Sequence, residues 1–253
     1  MKVLIVTALS KEQNAITGSV GQTQRVNILA GTSIYIFFLK NNNYNDLIEV
    51  GSINLNATGN IEAAIKTTQA ISYFNPDFVF LSGICGGFKN NSKINIGDII
   101  IPEKIIYYEY GKIKDGHLSR RYLTIEIDSH LLSKIKYFAS LEWNRKINSL
   151  PMLGNEFPVP RVHFNPIASG EKIIADEDIK LEFKNHFAEL IGVEMESYGT
   201  AKAVLSSGKP IKFLVIKSIA DWADTSKNDD WHEYATKISA EFIINLIENF
   251  KFN

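Results

Sequence analysis

The chain has 253 residues, 45% hydrophobic and 22% charged, with 27 basic and 28 acidic side chains and a formal net charge of −1. That balance suits a globular protein with a full core, in one large domain or two small ones, and excludes the basic footprint of a nucleic-acid binder. A single cysteine, Cys85, rules out an intrachain disulfide; no apolar run is long enough to span a membrane, and Met1–Thr7 lacks a signal-peptide core, so a reducing, cytoplasmic setting is expected.

Lys2–Thr7 reads as a buried strand running into Ala8-Leu9-Ser10-Lys11-Glu12, with Ser10 as N-cap and Glu12 in the first turn of a helix. Strands are expected at Arg25–Ala30, Ser33–Leu39 and Leu47–Val50, with a polar loop at Asn41–Asn45. Gly59-Asn60 opens a helix whose buried face is expected to carry Ile61, Ala64, Ile65 and Thr68. Asp77–Ser82 is a buried strand that breaks into Gly83-Ile-Cys-Gly86-Gly87, and Ile96–Pro102 is a further strand. Tyr107, Tyr108 and Tyr110 cluster after it, and Gly111–Tyr122 is a polar stretch. Asp128–Ser140 reads as helix, Leu150–Pro160 as loop, Arg161–Ser169 as extended chain and Ile179–Phe187 as helix.

Ile191–Ser197 begins as a short strand and passes into a helix through Ala201 and Leu205, which Gly208-Lys-Pro210 ends. Ile211–Ile219 is an apolar, β-branched strand that delivers Asp221-Trp-Ala-Asp224 at its carboxyl end. The closing helix, Trp231–Phe250, places Tyr234, Ile238, Phe242 and Leu246 on one face. Strands alternate with helices and no repeat or linker intervenes, so residues 1–253 read as one α/β domain.

Ligands of open α/β sheets bind at the carboxyl ends of strands. A carboxylate placed there, beside a Trp and away from water, can stay protonated near neutral pH and serve as an acid. Taken alone, Asp221 fits a strand-ending turn or a helix cap better than a catalytic acid. Several familiar alternatives are missing. There is no Walker A loop, no G-x-G-x-x-G, no HExxH, no paired CxxC and no nucleophile elbow, and the five histidines are scattered. No metal and no cofactor is therefore expected.

The stretches that remain form one pattern. Met1–Glu12, Phe78–Phe88 with its Ser-Gly-Ile-Cys-Gly-Gly, Ile96–Ile101, Ala168–Ile174, Val193-Glu-Met-Glu196 and Ile216–Asp224 resemble, in order and spacing, the nucleoside phosphorylase/uridine phosphorylase superfamily. Within it they are most similar to methylthioadenosine/S-adenosylhomocysteine nucleosidases and to defence-associated nucleosidase domains. The resemblance implies a nucleoside phosphorylase-like fold: a twisted, partly barrel-like mixed central sheet flanked by helices. It implies hydrolysis of the N-glycosidic bond of an adenine nucleoside or nucleotide. Asp221 would be the acid at the purine N7, Glu12 the base that activates water, and Glu196 the carboxylate that holds the ribose hydroxyls over Met195. Ile84, Cys85, Gly86, Ile173, Ile174, Val193 and Glu194 would line the base and glycine-loop side. Lys217 stands where these nucleosidases usually carry an arginine, and Ala220 where they carry a serine.

Phosphorylases of this superfamily hold phosphate with a Gly-Asp-Pro loop and arginines near the first strand. They also carry a Ser or Thr after the first glycine of the later loop; here Ala8–Glu12 stands in the first place and Ile84 in the second, which favours water as the nucleophile. Tyr107–Lys112 and Lys227–Trp231 resemble defence-associated domains, some of which act on adenine nucleotides. Arg120, Arg121 and Lys172 then become candidates for phosphate contacts, although each reads first as a solvated loop residue. A homo-oligomer, dimer or higher, is expected by resemblance, with a small-molecule nucleoside or nucleotide as the ligand. A phosphate-dependent purine nucleoside phosphorylase and a catalytically silent nucleoside-sensing module stay open as alternatives.

Overall fold

A computed structural model describes residues 1–29, 31–89, 94–141, 143, 159–224 and 231–252. Most of the expected loop at 150–160 and of the segment 227–231 lies outside them. The first half of the chain runs β1 (Lys2–Thr7), α1 (Ser10–Gly18), β2 (Gln24–Leu29), β3 (Thr32–Asn41), β4 (Asp46–Asn54), α2 (Asn60–Phe74) and β5 (Phe78–Gly87). Short strands follow: β6 (Ile99–Ile100), β7 (Lys104–Tyr107), β8 (Gly111–Lys114), β9 (His117–Arg120) and β10 (Leu123–Glu126). The chain continues through α3 (Ser129–Ala139), β11 (Val162–His163), β12 (Ile167–Ser169), α4 (Glu177–His186), β13 (Gly192–Glu194), α5 (Ser197–Ser206), β14 (Lys212–Asp221) and α6 (His232–Asn249).

The main sheet is mixed and mostly open, following β10-β7-β12-β13-β5-β1-β4-β3-β2, with a branch in which β14 pairs β5, β6 pairs β14 and β11 pairs β6. β5 is its pivot. β1 runs parallel to the first half of β5, β13 runs antiparallel to Gly86 and Gly87, and β14 runs parallel along its other edge. The fork brings the carboxyl ends of β1, β5 and β14 to one end of the sheet, with β13 turning back into the same space. Strands this deep are apolar on both faces: Val3–Val6, Val79–Leu81 and Leu214–Ile216 are buried throughout. α6 packs against this sheet through Tyr234, Ile238, Phe242 and Leu246, the face its periodicity predicts.

Several expectations are corrected. Leu9, not Ser10, is the N-cap of α1, and it offers no side-chain acceptor. The Glu12 carboxylate takes over by accepting from the backbone N–H groups of Ala8 and Leu9. α2 buries Ala63, Thr67, Ala70, Ile71 and Phe74, whereas Ile61 and Ile65 point outward. α5 approaches closely at the start of this helix, seating Gly199 against the backbone of Asn60, and Ala63, Ala70, Ile71 and Phe74 join the main hydrophobic core. β5 does not break at Gly83 but continues to Gly87, because β14 and β13 bond its backbone on both edges. The strand expected at 96–102 shrinks to Ile99–Ile100, since Asp98 accepts from Asn95 and Arg161 N–H groups and holds a turn. The polar stretch 111–122 is largely a hairpin, β8 with β9, turned at Asp115 and Gly116 with φ of 50° and 80°.

Candidate active site

Glu12 stands just past β1, on the first turn of α1, and is 3% exposed. Its Oε2 accepts from Ala8 and Leu9 N–H at 2.8 and 2.9 Å, and its Oε1 from Ile84 N–H at 3.0 Å. Gly83 makes this possible, because a methyl group there would overlap the carboxylate. Burial pushes the Glu12 pKa above its ordinary value of 4.5, and the Glu196 charge adds to the rise. The Lys217 charge and the backbone donors at Leu9 and Ile84 oppose it without cancelling it.

Lys217 is the electrostatic centre of the site. It lies mid-strand in β14 and is fully buried. Its Nζ is 2.9 Å from Glu196 Oε2 and 3.4 Å from Glu194 Oε2. Burial alone would pull its pKa down, but the Glu196, Glu194 and Glu12 carboxylates outweigh it and hold the ammonium charged. One cation thus stabilises three carboxylates that could not otherwise be buried side by side. The two glutamates differ in their remaining bonds. Glu194 accepts from the backbone N–H groups of Glu196 and Ser197 and from Ser197 Oγ, fixing the turn between β13 and α5. Among the described residues, Glu196 accepts only from Gly59 N–H, at 3.3 Å, besides Lys217.

Asp221 closes β14, where the pairing with β5 shifts register between Ile219 and Asp221. Its Oδ1 accepts from Ala223 N–H at 2.8 Å. Ala223 sits at φ 49°, a left-handed conformation that a non-glycine residue adopts at a cost. Lys180 reaches from α4 into this turn, donating to the Trp222 carbonyl at 3.1 Å with Asp224 Oδ2 4.0 Å away. On the other side His232, the first residue of α6, places Nε2 3.7 Å from Asp221 Oδ2. Gly86 allows the turn to approach, since a Cβ there would lie 2.8 Å from that of Ala223.

Glu12, Glu194, Glu196, Asp221 and His232 line one cavity of about 220 Å³, sized for a single small molecule, with Lys217 behind its wall. Its walls include Glu12, Ile84, Cys85, Gly86, Lys172, Ile173, Ile174, Val193, Glu194, Met195, Glu196 and Asp221. Every candidate residue named from the sequence is therefore there except Arg120 and Arg121. Arg120 is paired with Glu182 and lies over the Phe183 ring, and Arg121 bonds Tyr110 through its backbone N–H. Lys172 lines the cavity with its ammonium held by Glu109. Sequence reasoning missed Ala8, Leu9, Thr58, Ala223 and His232 among the lining residues, and it missed Lys217 as the shared counter-ion. A lysine inside an apolar strand was the available signal for the last of these, because a buried ammonium requires carboxylate partners.

The sequence matches the family profile described as the phosphorylase superfamily over residues 2–250. It is 29% identical over 257 residues to a 5′-methylthioadenosine/S-adenosylhomocysteine nucleosidase of Exiguobacterium sp. (strain ATCC BAA-1283 / AT1b), covering 96% of each chain. It is 28% identical over 197 residues to the ATP nucleosidase Cap17 of Escherichia coli (strain KTE188), covering 73% of this chain. The chain spans only 38% of the length of that relative. Among solved structures, the Streptococcus pneumoniae MTA/SAH nucleosidase in complex with 8-aminoadenine superposes with a TM-score of 0.77 at 20% identity, covering 99% of this chain and 100% of that one. The futalosine hydrolase of Helicobacter pylori strain 26695 superposes with a TM-score of 0.74, also at 20% identity, covering 98% and 97%. At such identities the two superpositions speak for the fold.

Proposed function

Since the chain belongs to the phosphorylase superfamily, we propose that it is a purine nucleosidase that hydrolyses the N-glycosidic bond of an adenine nucleoside or nucleotide. The observation that carries this reading is the grouping of Glu12, Glu196 and Asp221 on one cavity, in three different environments. Bond cleavage leaves an anionic base and a cationic sugar, so the reaction needs an acid at the base, a negative group at the sugar and a base for water. Asp221, at the rim of the turn, delivers a proton to N7. Glu196, bonded among the described residues by one backbone N–H and by Lys217, keeps acceptor capacity for ribose hydroxyls, with Met195 beneath the sugar. Glu12 takes a proton from the attacking water, and its raised pKa makes it a stronger base than an ordinary carboxylate.

The sign of the pH dependence follows. Glu12 must be ionised to act, and a raised pKa keeps it protonated to higher pH. The acid limb of kcat/KM is expected to fall off above 4.5, the ordinary value for a glutamate. A pH–rate profile checks this. An acid limb at or below that value would contradict the role given to Glu12.

Water is favoured over phosphate as the nucleophile. Among the described residues no arginine lines the cavity, and Lys172 is held by Glu109. The test is chromatographic: adenine release from adenosine, methylthioadenosine, S-adenosylhomocysteine, AMP and ATP, with and without phosphate. Release that needs phosphate would establish the phosphorylase alternative, and nucleoside binding without release would establish the sensing module.

The same reading includes a homo-oligomer. α2 turns Ile61 and Ile65 to solvent, and Leu205 of the adjoining α5 is also exposed. An outward strip of large apolar side chains is characteristic of an interaction surface. Light scattering is expected to give at least twice the mass of one chain; a monomer would contradict this assignment.

A further inference from the structure

We propose that Lys11 and His232 form a phosphate-recognition subsite at the mouth of the cavity, making the preferred substrate an adenine nucleotide. The proposal rests on the nucleosidase reading above and deepens it.

The observation is a pairing of two basic groups. The Lys11 ammonium is in hydrogen-bond contact with His232 Nδ1, and His232 is a wall of the cavity. A lysine donating to Nδ1 leaves Nε2 as the protonated nitrogen, so the ring also presents a donor on its Asp221 side. Lys11 differs from the other cations around the site. Lys172 is held by Glu109, Lys217 by Glu196 and Glu194, Arg120 by Glu182 and Lys180 by Glu177. Lys11 meets no carboxylate among the described residues. It also stands in the first turn of α1, where the helix dipole disfavours a cation. Neither fact serves folding, and both are remedied by an anion.

Substrate geometry gives the anion its place. In an anti purine nucleoside the C8–N7 edge and C5′ lie on the same side of the glycosidic bond. If Asp221 protonates N7, the 5′ substituent leaves near Asp221, on the side of the neighbouring group. That neighbour is His232, with Nε2 3.7 Å from Asp221 Oδ2 and Lys11 on its outer face. A 5′-phosphate there would accept from both groups in charge-assisted hydrogen bonds.

The test measures kcat/KM for adenosine, AMP and ATP in phosphate-free buffer, for the wild type and for Lys11→Met and His232→Gln. Lys11 is exposed, so the first variant is expected to fold. The wild type should prefer AMP or ATP to adenosine. In Lys11→Met the ratio of kcat/KM for AMP to that for adenosine should fall roughly ten- to a hundredfold, and in His232→Gln it should fall in the same direction. A preference for adenosine, or an unchanged ratio in Lys11→Met, overturns the proposal while the nucleosidase reading stands. Inorganic phosphate that speeds adenosine cleavage, with Lys11→Met abolishing the effect, also overturns it and assigns the pair to a phosphate nucleophile. If the wild type releases adenine from none of the three, the nucleosidase reading fails, and calorimetric titration still decides the subsite. AMP affinity reduced by Lys11→Met more than adenosine affinity supports it, and equal changes overturn it.

Discussion

Asp221→Asn is expected to lower kcat for adenine release by about a hundred- to ten-thousandfold, the usual worth of a positioned proton donor. The substitution separates chemistry from structure. The side-chain oxygen of asparagine still accepts from Ala223 N–H, the bond that holds the turn at 2.8 Å. Lys180 still braces the turn from the other side through the Trp222 carbonyl. What disappears, in the proposed mechanism, is the proton donor for the departing base. Stability should therefore change by no more than about 1.5 kcal/mol, the scale of one polar interaction, here the contact of Oδ2 with His232. A turnover within a few-fold of wild type would remove Asp221 from the role of acid. A large loss of stability would instead make its role structural.

The second large effect is expected at Lys217. Lys217→Met keeps an unbranched side chain one atom shorter and removes its charge, leaving Glu194 and Glu196 buried without their shared partner. Removing one member of a buried ionic group costs about 3–5 kcal/mol, because the charges left behind have no solvent to return to. Glu12 is affected as well. The Lys217 charge is the largest influence holding its pKa down, so losing it leaves burial and the Glu196 charge less opposed. The acid limb of the pH–rate profile is then expected to move to still higher pH in the folded fraction. Urea unfolding of the two proteins at neutral pH checks the stability loss. A difference under about 1 kcal/mol would mean that the carboxylates of the variant pick up protons or reach water at little cost.

How much of this was legible depends on range along the chain. The strand-to-turn segments carrying Glu12 and Asp221, and the Val-Glu-Met-Glu turn carrying Glu196, are local patterns, and each lies at or just past a strand end. The fork at β5 brings those ends together, and that is a fact of topology that no local pattern states. α2 shows tertiary packing overriding the helical wheel. Ile61 and Ile65 mark an apolar stripe, yet the face the helix buries carries Ala63, Thr67, Ala70, Ile71 and Phe74. The hairpin at 111–120 was legible through its Asp115-Gly116 turn, but its strands are exposed and lack the apolar alternation that marks a half-buried strand. His232 was hidden for a different reason. It lies eleven positions beyond Asp221 in the chain and reaches it only because α6 returns to the end of β14. Arg120 misled because charge in a loop suggests a ligand, when its partner is Glu182 on α4.

The most direct measurement of the account is the fate of water. The protein would be incubated with adenosine or AMP in phosphate-free buffer made with ¹⁸O-labelled water, and the sugar product examined by mass spectrometry. One labelled oxygen at the anomeric carbon, appearing in step with free adenine and lost in Glu12→Gln, is the predicted result. Adenine release that requires added phosphate and yields an unlabelled sugar 1-phosphate would contradict it.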